Sequence, residues 1–134
     1  MQDNAIKMIV ISVIVPIFSV HFSLHNFLAE QDISSFSQKI ASFQQQGIPV
    51  VHDKKYHGQF HFLGRLHDPI IVLQSKDKTS EFTRNNPSAM IITYRKKKEM
   101  HTINQNLITT KTSFKGKYAI LVKAGLYDKL NNKP

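Results

Sequence analysis

The sequence predicts an α/β protein with one N-terminal transmembrane helix followed by a small α/β sandwich with a mixed sheet. Three observations lead to this prediction. The segment Met8–Leu28 contains no formally charged side chain. An apolar stripe at helical spacing follows it, and short β-branched runs separated by glycine, proline and asparagine follow the stripe. A chain of 134 residues has room for a membrane segment and one domain of about 100 residues.

Three parts are expected along the chain. Residues 1–31 form the membrane-spanning helix and its flanks, residues 32–127 a soluble α/β domain, and residues 128–134 a frayed tail. About 21 residues in a helix span roughly 30 Å, the thickness of one hydrocarbon core. Lys7 precedes the apolar segment, whereas Glu30 and Asp32 follow it. The positive-inside rule therefore predicts a single-pass protein of the inner (cytoplasmic) membrane with an extracytoplasmic C-terminal domain.

Two other interpretations of the apolar segment stay open. A signal peptide needs small residues at its cleavage site, and Phe27-Leu28-Ala29 offers one. The β-branched residues that dominate the segment are also typical of a buried strand or helix in a soluble fold.

Periodicity and turn residues predict the remaining elements. Ile33, Phe36, Ile40 and Phe43 give one apolar stripe on a helix that begins at Asp32 or Ser34 and reaches about Gln46. Strands are predicted at Ile48–His52, Ile70–Leu73, Ala89–Tyr94 and Lys117–Ala124, with Thr109–Thr112 beside the last, and a short helix runs from Thr79 or Ser80 to Arg84. The predicted core is Phe36, Ile40, Val50, Ile71, Val72, Ile91 and Leu121.

The charge is concentrated in the second part of the chain. The net charge is −1 up to Ile48 and +10 from Pro49 onward, which indicates an anionic neighbour. The run Arg95–Lys98 has three interpretations: a solvated hairpin end, which we favour, a contact with anionic lipid headgroups, or a nucleic-acid patch. Stacking aromatics usually accompany nucleic-acid binding, and only Tyr94 adjoins the run. Nucleic acid is therefore not expected as a partner.

Four histidines, His52, His57, His61 and His67, lie within sixteen residues. His57 and His61 have the i, i+4 spacing of a zinc-protease helix, but Gly58 stands where the catalytic glutamate belongs. The chain also has no cysteine. We therefore predict surface or hydrogen-bonded histidines and no metal site.

Arg65 is a candidate binding residue because apolar residues surround it in the sequence. A guanidinium in such a setting usually pairs with a carboxylate or a phosphate. We favour an ion pair with Asp53 or Asp68, and a ligand-facing role is the alternative. Tyr56 and Gln59 add neutral hydrogen-bonding groups in either case. No catalytic residue is predicted, because no familiar catalytic signature is present.

Several motifs carry a family resemblance that covers roughly Ser34 to Tyr94. They are Gln45-Gln46-Gly47-Ile48-Pro49-Val50, Tyr56-His57-Gly58-Gln59-Phe60, Leu63-Gly64-Arg65-Leu66 and Asn86-Pro87. In these motifs the chain resembles the C-terminal periplasmic domain of the aminoarabinose transferase and protein mannosyltransferase-like family. These are membrane glycosyltransferases that depend on a polyprenyl-phosphate sugar donor.

The resemblance implies that the chain is a fragment of a lipid-linked sugar glycosyltransferase that shapes or covers the acceptor site and is not catalytic alone. The sugar donor and a divalent metal would be bound by the missing catalytic membrane portion, so whether the chain counts as an enzyme stays open. The implied partners are membrane lipids and that missing transmembrane portion. The alternative is a membrane-anchored basic binding module for anionic surfaces, without enzymatic activity.

Overall fold

The computed structural model describes residues 2–30 and 33–131, and the chain divides into two compact units between residues 31 and 32. The first unit is one helix, α1 (Gln2–Glu30), which contains Pro16. The hydroxyl of Ser19 donates a 2.9 Å hydrogen bond to the carbonyl of Val15 in the turn around this proline. Helix α1 therefore continues through Pro16.

The predicted transmembrane helix is wrong. Within residues 2–30 and 33–131, no helix is both long enough and apolar enough to cross a membrane. The strongly apolar stretch ends at Val20, where His21 follows, and it begins at Met8. Such a stretch spans about 20 Å of helix, whereas a hydrocarbon core measures about 30 Å. This finding also overturns the single-pass inner-membrane localisation, which depended on the predicted helix.

The second unit contains four helices and five strands among its described residues. In chain order they are α2 (Ser34–Gln45), β1 (Val50–His52), α3 (His61–Gly64), β2 (Ile71–Val72), α4 (Lys76–Asn85), β3 (Met90–Lys96), β4 (Ile108–Phe114), β5 (Lys117–Lys123) and α5 (Ala124–Asn131). Two 3-10 turns, Lys97–His101 and Gln105–Leu107, connect β3 to β4.

The five strands form one mixed sheet in the order β2-β1-β3-β5-β4. Strand β1 is parallel to both β2 and β3, while β5 is antiparallel to β3 and β4. The α/β class and the mixed sheet are therefore as predicted, apart from the membrane helix. The chain leaves β1 for one neighbour and later returns to its other side, so β1 is the point where the strand order reverses.

Apolar side chains fill the space on both faces of the sheet. On one face, Phe36 and Ile40 of α2 pack with Phe60 against inward residues of the strands such as Val50 and Ile92. On the other face, alternate strand residues pack with α4 and α5 in two further clusters. The first contains Val51, Leu73, Ala89, Ile91 and Ala124, with Phe82 and Tyr127 packed against it. The second contains Met100, Ile120, Val122 and Leu130. The period of two along each strand produces this division.

Several element boundaries differ from the predicted ones. Helix α2 begins at Ser34 without a side-chain cap, and Asp32, the other predicted cap, lies outside the described residues. Helix α4 begins at Lys76 because Ser75 caps it, accepting a 3.2 Å hydrogen bond from the N–H of Lys78. Helix α5 continues to Asn131 through residues that were expected to fray, and Leu130 is buried.

Candidate functional site

The three parallel strands end at the same edge of the sheet. Asp53 and Lys54 follow β1, Gln74 follows β2 by two residues, and Tyr94 and Arg95 lie near the end of β3. In open α/β sheets, ligands bind in the crevice outside the carboxyl ends of the strands where the strand order reverses. Strand β1 occupies that position here, which makes this edge the first candidate for a site.

A cleft with two adjoining lobes lies at this edge, and we call it the strand-end cleft. The first lobe measures about 1000 Å³ and the second about 1030 Å³. Both lobes are lined by Asp53, Lys54, Gln74 and Arg95. The remaining lining residues of the first lobe come from the Tyr56 loop, the end of β2, the β3–β5 pair and the following 3-10 turn, and those of the second from α4, its flanking residues and α5.

Basic side chains dominate the first lobe. It contains five of them, Lys54, Lys55, Arg95, Lys96 and Lys117, against two acidic ones, Asp53 and Glu99. Glu99 accepts a 3.2 Å hydrogen bond from the N–H of Lys96, so it serves partly as a cap of the adjoining 3-10 turn. The second lobe adds the basic Lys76 and Arg84 and the acidic Asp128. A concave surface lined with charges of one sign attracts ligands of the opposite sign, so this cleft favours anions.

The Tyr56–Leu66 motif folds into a tight loop and the short helix α3. Gly58 has φ 75°, a conformation that favours glycine, and the side chain of Gln59 accepts a 3.0 Å hydrogen bond from the N–H of His57. At Gly64 an added Cβ would lie 2.7 Å from the carbonyl oxygen of Ser37 on α2. The two glycines thus serve a turn and a close approach between α3 and α2.

Aromatic rings connect the motif to the sheet. The ring of Tyr56 stacks on Phe60 and on His52, with centroids 5.8 Å and 5.6 Å apart, and His52 also lies 5.2 Å from the ring of Tyr94. The amide nitrogen of Gln59 donates a hydrogen bond to the hydroxyl of Tyr94. Tyr56 and Gln59 therefore hold the motif against the ends of β1 and β3.

Asp53 occupies the wall between the two lobes, and its side chain is 2% exposed. Its Oδ2 accepts two hydrogen bonds, at 2.5 Å from the hydroxyl of Thr93 and at 2.7 Å from that of Tyr127. Its Oδ1 is buried and has no hydrogen-bond partner among the described residues. Oδ2 thus accepts two hydrogen bonds, whereas Oδ1 accepts none from the described residues.

His52 is completely buried beside Asp53. Burial lowers the pKa of His52 below its ordinary value of 6.5, and the neighbouring Asp53 carboxylate opposes this effect only in part. Its Nδ1 accepts a 3.1 Å hydrogen bond from the N–H of Lys54. The neutral ring therefore carries its proton on Nε2, which is buried without a partner among the described residues.

Both tyrosines of the first lobe are harder to ionise than a free tyrosine. Burial is the main cause that raises the pKa of Tyr56 and of Tyr94. The hydroxyl of Tyr56 shares a 3.1 Å hydrogen bond with Nδ1 of His61. These groups act as neutral hydrogen-bonding walls of the cleft at ordinary pH.

Arg65 lies apart from this site. Of the three predicted binding residues, Tyr56 lines the cleft and Gln59 bonds to Tyr94, whereas Arg65 lines neither lobe. The guanidinium is exposed and forms no ion pair with Asp53 or Asp68 among the described residues. The favoured ion pair is therefore wrong: Arg65 ends α3 in the left-handed conformation, φ 46° and ψ 47°, with its side chain directed to solvent.

The four clustered histidines take separate roles. His52 is buried, His57 is exposed in the lining of the first lobe, His61 bonds to Tyr56, and His67 is 98% exposed beside Asp68, at 3.2 Å. Within the described ranges, no three metal-ligating side chains lie close enough to hold a metal ion.

The Arg95–Lys98 run is divided between the end of β3 and a 3-10 turn, and Arg95 and Lys96 line the cleft.

Sequence reasoning did not find the hydrogen-bonded group of the buried Asp53 and Thr93 with the half-buried Tyr127. Two partners are distant along the chain, so no local pattern joins them. One local signal was present: His52 and Asp53 directly follow the apolar strand Val50-Val51, where parallel strands commonly place functional side chains.

Comparison of the chain with protein-family models, curated proteins and solved structures finds no significant match.

Proposed function

We propose that residues 33–131 form a non-catalytic ligand-binding domain that takes an anionic ligand in the strand-end cleft and belongs to a lipid-linked sugar transferase. The single observation that carries the proposal is the excess of basic side chains at the carboxyl ends of the parallel strands. The domain would shape or cover the acceptor site. The sugar donor and any divalent metal would be held by another part of the enzyme.

The position of the Tyr56–Leu66 motif supports this assignment. Of the motifs that carry the resemblance to the transferase family, Tyr56-His57-Gly58-Gln59-Phe60 builds part of one wall of the cleft, through Tyr56 and His57, and is fixed to β3 through Gln59. Abstraction of a proton from an acceptor needs a base within reach of it. His52 packs between two tyrosine rings, and Asp53 accepts hydrogen bonds from two hydroxyl groups. Both side chains therefore act as structural parts of the cleft wall.

Titration of the purified chain with inorganic phosphate, followed by two-dimensional NMR, tests anion binding. We expect amide shifts around Lys54 and Gln74 and weaker binding as the salt concentration rises. The double variant Lys54→Gln/Lys55→Gln should lose this binding. Lys123→Gln/Lys129→Gln, which removes two exposed cations outside the cleft, is the matched control. Equal effects of the two variants would show that only overall charge matters.

A second candidate function is a stand-alone basic binding module for anionic surfaces. The net charge of +10 from Pro49 onward favours it. The DNA upstream of Met1 discriminates between the two. A reading frame that encodes many apolar helices, in frame or after a single frameshift, supports the transferase, whereas unrelated sequence behind a ribosome-binding site supports the module.

A further inference from the structure

The two oxygens of the Asp53 carboxylate have unequal surroundings, which points to a missing hydrogen-bond donor. The hydroxyls of Thr93 and Tyr127 each have one proton, and both donate it to Oδ2. Oδ1 receives none among the described residues, although it is buried. A buried acceptor without a donor is unfavourable, so buried polar atoms nearly always have a partner in protein or solvent.

His52 does not supply the missing proton. Its Nδ1 lies 3.9 Å from Oδ1 of Asp53, beyond hydrogen-bonding distance. The same Nδ1 already accepts the N–H of Lys54, so it carries no proton in the neutral ring. No described residue therefore donates to Oδ1, and Asp53 lines both lobes of the strand-end cleft.

We propose that Oδ1 of Asp53 accepts a hydrogen bond from a hydroxyl group of the ligand, so that the cleft binds a phosphate ester of a polyol. The inference rests on the proposed function, because it names the chemical class of the anion. The basic side chains of the cleft, such as Lys54 and Lys55, attract the phosphate group. A carboxylate in the shared wall repels an anion that has no hydrogen-bond donor and selects one that carries a hydroxyl.

A pair of ligands with the same phosphate group tests this selection on the full chain. Glycerol phosphate carries hydroxyls, whereas methyl phosphate carries none, and both are dianions at pH 8. Isothermal titration should show that glycerol phosphate binds about tenfold more tightly, the ratio expected for one hydrogen bond to a charged acceptor. In Asp53→Asn the ratio should fall towards one, because the charged acceptor is lost.

The wild-type ratio is informative even where Asp53→Asn fails to fold. Equal affinities of wild type for the two esters, or an unchanged ratio in folded Asp53→Asn, would overturn the hydroxyl contact while anion binding stands. Binding of neither ester would overturn the proposed function as well. Vesicles of phosphatidylglycerol, compared with vesicles of phosphatidylcholine, identify the source of the phosphate ester. If phosphatidylglycerol vesicles displace glycerol phosphate, the ligand is a lipid headgroup. If they do not, the ligand is a free ester.

Discussion

The hydroxyl of Thr93 on β3 donates a 2.5 Å hydrogen bond to Oδ2 of Asp53, which follows β1. The contact joins the end of β1 to the neighbouring parallel strand β3, just beyond their last paired residues, through side chains that are both buried. It therefore fixes the wall that the two lobes of the cleft share. Its removal should be visible in stability, independently of any ligand.

Thr93→Val keeps the shape of the side chain and removes the donor. We expect the free energy of unfolding to fall by about 1–3 kcal/mol, because the buried carboxylate keeps only Tyr127 as a partner. Urea unfolding followed by circular dichroism measures it. Thr109→Val, at an exposed position of β4, is the control and should change stability by at most about 0.5 kcal/mol. Equal effects would mean that the Thr93 bond contributes nothing.

Gly64→Ala should destabilise the second unit through a steric clash. The added methyl group would lie 2.7 Å from the carbonyl oxygen of Ser37, and this backbone atom cannot rotate away. We expect a loss of about 1–3 kcal/mol, the range for overpacked positions. Gly47→Ala is the comparison, since nothing lies within 4 Å of its Cβ and only its φ of 72° is unfavourable. A Gly64→Ala protein as stable as wild type would contradict the close approach of α3 and α2.

Stability should decrease at acid pH because of His52. Burial lowers the pKa of the folded-state ring, so the unfolded chain binds a proton that the folded protein refuses. Above about pH 6.5, the ordinary pKa, His52 does not lower the free energy of unfolding. As the pH falls from there towards the folded-state pKa, the free energy of unfolding decreases. The slope is at most about 1.4 kcal/mol per pH unit.

Chemical denaturation between pH 5 and 8 measures this slope in wild type and two variants. His52→Asn retains an acceptor for the N–H of Lys54 and should reduce the slope. His67→Gln changes a ring that is 98% exposed and should leave the slope of wild type in place. A steep slope that persists in His52→Asn would assign the effect to another group.

Arg65 gives a prediction about backbone strain. Its φ of 46° lies in the left-handed region, where any side chain except glycine is disfavoured. Arg65→Gly should stabilise the protein by up to about 1 kcal/mol relative to Arg65→Ala, in which the strain remains. Thermal melting compares the two. An Arg65→Ala change that costs several kcal/mol would restore the ion pair that the structure does not contain.

The parts of the fold that the sequence predicted are those with strong local periodicity. Phe36 and Ile40 lie on one stripe of α2 and are buried, and Ile91 and Leu121 lie at the centre of apolar strands and are also buried. Both β2 residues of the predicted core were errors: Ile71 is 59% exposed and Val72 is only half-buried, because β2 lies at the edge of the sheet. Strand order depends on pairings between distant residues, which local patterns do not contain.

Local sequence patterns point only to the part of the candidate site that one motif contains. Tyr56 and Gln59 come from a single loop, and their spacing was visible in the sequence. The carboxylate of Asp53 depends on Thr93 and Tyr127, which are 40 and 74 residues away. The ion pair favoured for Arg65 is absent because apolar neighbours in sequence do not imply burial: Arg65 is exposed at the left-handed turn after α3.

The two outer strands of the sheet have a consequence for self-association. Exposed strand edges offer unpaired backbone groups to other chains and thus invite aggregation. One edge, β2, pairs over only two residues and is preceded closely by Pro69, while the other, β4, carries the exposed Lys111 and an irregular register between Ile108 and Thr110. Natural proteins protect sheet edges with the same features: short edge strands, proline, lysine and irregular register. These features disfavour edge-to-edge association of the sheet.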